Sequence, residues 1–515
     1  MTLNSFQKRT ANLVSVIVLS GILFSCDVDQ YPTGAFDILI VNARILDGTG
    51  KPEYISDVLI RGDSIAFIGN VKESKVSIRQ KIDAQGKVLS PGFIDAHAHG
   101  DPLTTSGFEN FLNMGVTTIC LGQDGFSHES ENLQPWIQQI DSLGVGVNVL
   151  TFMGHSTLRS LSGTNYAEVP TPEQVQKMTD LLSAGLAQGA FGLSTGLEYT
   201  PGYYAQEAEM AVLAKKVGQH QGIIMSHMRN EDDDQIEQSI QELLLQGHYA
   251  PVHISHFKVV YGKGAIRANH FLSILDSARQ AGIQVTADVY PYTASYTGIG
   301  IVFPEWAKAP NDYRKVVAGR RQELKKYLYD KVIKRNGPEA TLFGNGKWRG
   351  MNLKQVAVSL HLSFEDVLID VIGPEGVSGA YFVMDADLQS ALIQDSLICI
   401  SSDGSPTMHH PRGYGSFAKI IRYYVNERKS MTLAEAIRKM TALPASIIGI
   451  KNRGLVKVGY KADLLIFDPV LVKDLATYED PHLMAEGIDY VIINGALSKA
   501  QGEIGANLNG RFLKK

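Results

Sequence analysis

Several apolar runs of this chain end in side chains of the types that bind metal ions. Asp95-Ala96-His97-Ala98-His99 closes one such run. In an extended segment residues two apart point the same way, so the His97 and His99 imidazoles can reach one ion. His227 closes a second run (Ser-His-Met-Arg), His256 a third (Ile-Ser-His-Phe-Lys) and Asp403 a fourth (Ser-Ser-Asp-Gly). A lone His-x-His is weak evidence, because single histidines are more often core or surface residues. The whole set, at the corresponding ends of successive runs, is hard to assign to packing. A bound metal lowers the pKa of water toward ~7 and polarises a carbonyl, which is hydrolytic chemistry. Asp403 is placed to take the water's proton and return it to a leaving group, as general base and then general acid.

These groups share a site only if the fold brings the run ends together. Strand-like segments are Val88–Ala96, Val116–Leu121, Val147–Phe152, Phe191–Thr195, Ile223–Ser226, Val252–Ser255, Val285–Val289 and Leu397–Ser401. Helix-like stretches such as Thr171–Gln188, Glu207–Gln219, Asp234–Leu245 and Ala268–Ala281 lie between them. Strands four to seven recur at roughly the 30-residue length of a βα unit. Eight units predict an α/β fold, a (β/α)₈ TIM barrel, whose catalytic groups sit where strands end and loops begin. The β-rich flanks are each too short for a core of their own. Together they predict a small β-sandwich built from the N- and C-terminal ends of the chain. The expected division is a signal peptide over 1–25, a tether over 26–35, the N-terminal half of the sandwich over 36–88, the barrel over 89–453 and the C-terminal half of the sandwich over 454–515. An insertion at about 304–360 is too long for a βα loop and reads as a helical lid.

Other features bound the function. A net charge of −5 leaves no basic footprint for nucleic acid. The glycine-rich pieces match neither a Walker loop nor a dinucleotide fingerprint, and no Gly-x-Ser-x-Gly elbow is present. Lys8 and Arg9 precede an apolar run from Leu13 to Phe24, too short for an ordinary spanning helix. That run ends in Leu23-Phe24-Ser25-Cys26, which resembles a bacterial lipoprotein box with Cys26 as the acylated residue. The alternative is a plain secretory signal with a chance cysteine. The expectation is an exported lipoprotein on the periplasmic or cell-surface side of a membrane, held by its lipid. Cys120 and Cys399 fall inside apolar strands, where cysteine acts as a small buried hydrophobe.

The ligand pattern resembles the amidohydrolase superfamily. Gly154-His155-Ser156-Thr157-Leu158-Arg159, Gly192–Tyr199, Asp288-Val289-Tyr290-Pro291-Tyr292 and His410–Phe417 narrow it. They are similar to the N-acyl-D-amino-acid deacylases, or D-aminoacylases, from about Asp37 to the C-terminus. The resemblance implies a zinc-dependent barrel, with one or two ions, that cleaves N-acyl-D-amino acids to a carboxylate and a free D-amino acid. It assigns Lys258, Tyr290 and Arg412 to the substrate carboxylate. Lys258 faces the same way as His256, and the planar fork of Arg412 suits a carboxylate. His155 either hydrogen-bonds the substrate or fixes the strand-three loop.

One turn departs from the family's pattern. Where many members carry a zinc-binding cysteine after strand two, this chain reads Gly122-Gln123-Asp124-Gly125. Asp124 is either a ligand that can bridge two ions, harder than sulfur, or a turn-capping residue. Strand four offers no lysine as a bridge, leaving Glu198 as a fallback. Arg229 and Glu231 either support His227 or form a salt-bridged loop. The Ala294-Ser295-Tyr296-Thr297 turn is altered from the family's. Histidines 128, 220, 248, 253, 270, 361, 409 and 482 do not fit the strand-end pattern. A D-dipeptidase or cyclic-amide hydrolase is the nearest rival reading. A non-catalytic surface binding lipoprotein is another, but it would have lost Asp403 or the histidines. The sequence leaves the oligomeric state open.

Overall fold

The computed structural model describes residues 32–515. The expected signal segment, Cys26 and most of the tether lie outside the described residues. Eight parallel barrel strands follow one another at Phe93–Asp95, Val116–Leu121, Asn148–Thr151, Gly192–Gly196, Ile223–His227, Val252–Ile254, Val285–Val289 and Ile398–Ile400. They read as continuous apolar runs because both faces are covered, one by barrel-filling side chains and one by helices. Every residue of Val116–Leu121 is buried. Ladders join strands one to three and, from Met153–Gly154 onward, strands four to eight. The ring closes beyond strand eight, where Ala98 bridges Gly404 in parallel and Asp403 N donates to His97 O at 2.9 Å.

Local sequence sets the surrounding helices. Thr171 and Gln174 form a reciprocal capping box at the start of Pro172–Ala187, with proline in the first turn. Glu207–Gln219 begins and ends as the periodicity predicts.

The flanks meet as one nine-stranded sheet. Gly34–Ile45 pairs with Tyr54–Arg61 on one edge and with Val76–Asp83 and Val88–Pro91 on the other. Val88–Pro91 then pairs antiparallel with Leu464–Phe467, which joins the two ends of the chain. The sheet curls back on itself, since Ile65 N donates to Tyr460 O and Ala462 N to Asp63 O. Ile40, Ile60, Ile82, Leu89, Leu464 and Ile466 pack inside it.

Two sequence expectations change here. The expected strand Val88–Ala96 is two strands in two sheets, divided at Gly92. A Cβ on Gly92 would lie 2.2 Å from Thr117 Oγ1, so only glycine allows this crossing between sheets. The insertion between strands seven and eight is also larger than 304–360 and is not purely helical. Ser295–Gly298, Thr341–Phe343 and Ser378–Tyr381 form a three-stranded antiparallel sheet within it. That sheet and the helix Tyr313–Lys334 enclose a separate core of Leu324, Leu328, Val332, Phe343 and Val356. Its short strands had no alternating pattern long enough to read.

Candidate metal centre

Strand one delivers His97 and His99, strand five His227, the loop after strand six His256 and the loop after strand eight Asp403, all to the same end of the barrel. Asp124 comes from the turn after strand two and stands among them. Its Oδ1 lies 3.3 Å from His97 Nε2 and 3.2 Å from His256 Nε2, while its Oδ2 lies 3.4 Å from His99 Nε2. Asp403 Oδ1 is 3.1 Å from His99 Nε2 and 3.8 Å from His97 Nε2. Among the described residues, His97, His99, Asp124 and Asp403 therefore form one donor group, and Asp124, His227 and His256 an adjoining one. Glu198, His227 and Glu231 form a third.

The backbone is unusual at these positions. Asp124, His256 and Asp403 have φ of 55°, 39° and 48°, a left-handed conformation that side-chain-bearing residues rarely adopt. Such outliers cluster at functional sites, where surrounding structure over-determines them.

Two buried carboxylates supply that determination. Asp95 accepts from His97 N at 3.2 Å and Ser402 N at 3.0 Å, and also from the Ser402 hydroxyl. Asp288 accepts from His256 N at 2.9 Å, from His253 Nε2 at 2.8 Å and from the Ser401 hydroxyl. Strands one, seven and eight are thus tied together beside the ligands they carry. Burial pushes the Asp95 carboxyl up to about 7, although its three hydrogen bonds oppose this. Neither carboxylate was assigned from the sequence, yet each is an acid inside an apolar strand run, a signal for a buried, partnered group. His253, set aside from the sequence as structural, is the partner of Asp288.

The charges of the basin oppose one another. Burial would raise the carboxyls, but the histidines hold Asp124 well below the ordinary carboxylate range, and Arg412 with the histidines holds Asp403 below it. Burial favours a neutral His99, yet its contacts with Asp124 and Asp403 raise it to about 9. Burial and Lys258 oppose charge on His256, but Asp124 and Asp403 raise it to about 10. His97 is lowered by burial, and both its ring nitrogens are buried without a hydrogen-bond partner. Unpartnered imidazole nitrogens facing carboxylates are what a cation-binding set contains.

The substrate-side cations are present and engaged. Lys258 Nζ lies 2.7 Å from Glu231 Oε1 and 3.0 Å from His256 Nδ1. Arg412 Nη1 lies 2.7 Å from Asp403 Oδ2, and its Nη2 donates to Tyr296 O at 3.2 Å. Both line a cavity of about 570 Å³ together with His99, Asp124, His227, His256 and Asp403.

The structure places the other two sequence-assigned residues, His155 and Tyr290, behind the cavity wall. His155 is wholly buried, pairs through Nε2 with Glu209 at 2.7 Å, and does not line the cavity. Arg159 completes that pair at 2.6 Å, so His155 fixes the strand-three loop. Tyr290 is also buried, lying under the Arg412 guanidinium at 4.8 Å with its hydroxyl toward the Met384 sulfur. It packs behind the Arg412 cation and close to the charges of Lys258, Asp403 and Glu231. The alternatives for Arg229 and Glu231 divide between them. Glu231 is buried against Lys258 and His256, while Arg229 clasps Glu242 and the carbonyls of Tyr203 and Ala205.

Comparison with known proteins places this geometry. A family model described as "Amidohydrolase family" matches residues 351–498. The N-acyl-D-glutamate deacylase of Alcaligenes xylosoxydans xylosoxydans is 30% identical over 485 residues, 89% of this chain and 93% of that protein. The D-aminoacylase of the same organism is 30% identical, over 91% of this chain and 96% of that one. The chain belongs to the D-aminoacylase family of the amidohydrolases. It is a metal-dependent amide hydrolase. The solved N-acyl-D-glutamate deacylase of Bordetella bronchiseptica superposes with a TM-score of 0.80 at 29% identity, covering 93% of this chain and 100% of that one. That protein was solved with zinc and a phosphonate mimic of the tetrahedral intermediate. Cys120, the nearest thiol to the turn of Asp124, is buried inside strand two. Asp124 therefore brings a carboxylate, and no thiolate, to the donor groups.

Proposed function

We propose that the protein hydrolyses the amide bond of N-acyl-D-amino acids, giving a carboxylate and a free D-amino acid. The observation that carries the reading is Asp124 standing between two adjoining donor groups, facing a His97 whose ring nitrogens have no other partner. His97, His99, Asp124 and Asp403 would hold one zinc ion, and Asp124, His227 and His256 a second. Zinc, when bound, acidifies water and polarises an amide carbonyl. Asp403 is ionised at neutral pH, because Arg412 and the histidines surround it, and so it is ready to accept a proton. Arg412 orients that carboxylate through Nη1. Arg412 and Lys258 supply two cations at the cavity wall for a free substrate carboxylate. Two cations favour an open-chain N-acyl amino acid over a hydantoin-type cyclic amide, whose ring carries no free carboxylate. The deacylase names of the relatives support the D-configured substrate. Zinc-loaded protein should release acetate from N-acetyl-D-amino acids and leave the L-isomers largely intact. Equal rates on both configurations would reject the D-specific reading.

The same reading includes export and lipid anchoring at Cys26, supported by Leu23-Phe24-Ser25-Cys26 after an apolar run. Among the described residues no helix is long and apolar enough to cross a membrane. Labelled palmitate should enter the wild-type protein in cells and be absent from Cys26→Ser. Equal labelling of both would remove the anchor.

A further inference from the structure

Arg335 follows the long helix of the insertion and lines the same cavity as the metal-ligand basin. It is 5% exposed, and its Nε has no hydrogen-bond partner. Its carboxylate contact is loose, with Nη1 3.5 Å from Asp232 Oδ1. The other oxygen of Asp232 is held by Lys331 at 3.0 Å. Lys334 also lies 4.0 Å from that oxygen but has a partner of its own in Asp234 at 3.0 Å, so Arg335 and Lys331 are the two cations that depend on Asp232. Beside Arg335, with the ring centroid 5.4 Å from the guanidinium carbon, Tyr381 buries a hydroxyl that also lacks a partner. A buried polar group left unpaired costs about 1–3 kcal/mol, and more when it is charged. Two such groups side by side, next to a surplus positive charge, mark a place for an acceptor that the protein itself does not provide.

The location says which portion of a substrate would bring that acceptor. Asp232 bridges Val260, two residues beyond Lys258, so Arg335 sits on the Lys258 side of the cavity. In the proposed reaction, on which this inference rests, Lys258 and Arg412 hold the α-carboxylate, and the amino-acid half of the substrate lies on that side. We infer that Arg335, backed by Tyr381, is a specificity-determining pair in which the guanidinium receives an anionic side chain, so that N-acyl-D-amino acids with an acidic side chain are the preferred substrates. A guanidinium edge matches a carboxylate in shape and charge, and the Tyr381 ring packed against it fixes the orientation of that edge. A neutral side chain entering there would leave the buried cation with only its loose contact to Asp232.

N-acetyl-D-glutamate and N-acetyl-D-glutamine differ in charge and scarcely in shape, so the ratio of their kcat/KM values reads this pair directly. Wild-type zinc-loaded protein should favour the glutamate by about ten-fold or more. Arg335→Gln should bring the ratio near one, chiefly by raising KM for the glutamate, and Arg335→Lys should restore some of the preference. Tyr381→Leu, which removes the ring, should lower the ratio less, and serves as the second variant should Arg335→Gln fail to fold. A wild-type ratio of one or less, or a ratio unchanged in Arg335→Gln, overturns the inference. If N-acetyl-D-methionine is turned over while glutamate gains nothing over glutamine, only this inference falls. If none of the three D-substrates is hydrolysed, the proposed function falls with it.

Discussion

The two ends of barrel strand eight, Ile398–Ile400, each hold a buried charged side chain, and the two behave in opposite ways. At the C-terminal end Asp403 is met by opposite charges, Arg412 at 2.7 Å and His99 at 3.1 Å, and is held in its ionised form. At the N-terminal end Lys439 reaches in from the helix Leu433–Met440 and donates to the carbonyls of Asp395 and Ile398. It meets dipoles in place of a paired counter-charge, and burial lowers it to about 8. A buried charge with true counter-charges stays charged and available for chemistry, whereas one offered only carbonyls drifts toward neutrality. The contrast follows the division of labour in these barrels, with catalysis at the C-terminal face and stability at the other.

The contrast breaks first if the Asp403 end is not where chemistry happens. Asp403→Asn keeps the shape but not the base, so kcat should fall by ~10²–10⁴-fold while zinc content stays near wild type. Retained turnover would remove Asp403 from its role. Arg412→Ala tests its partner. Losing a charge-assisted bond worth about 1.5–3 kcal/mol should raise KM for carboxylate-bearing substrates by roughly 10- to 150-fold. An unchanged KM would contradict the clamp. Asp288 tests whether that end depends on the groups behind it. Asp288→Asn weakens the hold on His253, the His256 backbone and Ser401, so zinc affinity should drop by ~10–100-fold in a competition titration. Wild-type affinity would make Asp288 a packing residue only.

The smallest effect belongs to the other end. The folded-state value of Lys439 lies below its ordinary 10.5, at about 8. Between these values the unfolded chain binds more protons than the folded one. This residue's contribution to stability therefore rises as pH rises through that window, by at most about 1.4 kcal/mol per pH unit. Denaturant titrations of the wild type and Lys439→Met should diverge with that sign above pH 8 and run parallel below it. A difference that stays constant with pH would show that Lys439 is buried without titrating.

The legibility of the site varied with the range of the interaction. His97, His99, His227, His256 and Asp403 could be read because each ends a short strand, and a strand's end is a local property. Asp95 and Asp288 are equally local, but each lies inside an apolar run whose text does not show which donors it meets. The two alternatives for His155 stay open in the sequence because its motif is a short stretch of text, while its partner Glu209 lies 54 residues away. The insertion extends beyond 304–360 because its small sheet is held by pairing between distant segments, Ser295–Gly298 with Ser378–Tyr381, which no local pattern announces.

The sequence by itself determined the barrel, its ligand-bearing strand ends and the family to which the chain belongs. Apolar strand runs, βα spacing and motif text are all written within a few tens of residues. Only the tertiary structure decided which charges meet. Asp403 faces His99 across 304 positions of sequence, Asp124 faces His256 across 132, and Arg335 is left half-paired beside Tyr381. Pairing of buried charges depends on distances fixed by the packing of whole elements, and no local pattern encodes those distances.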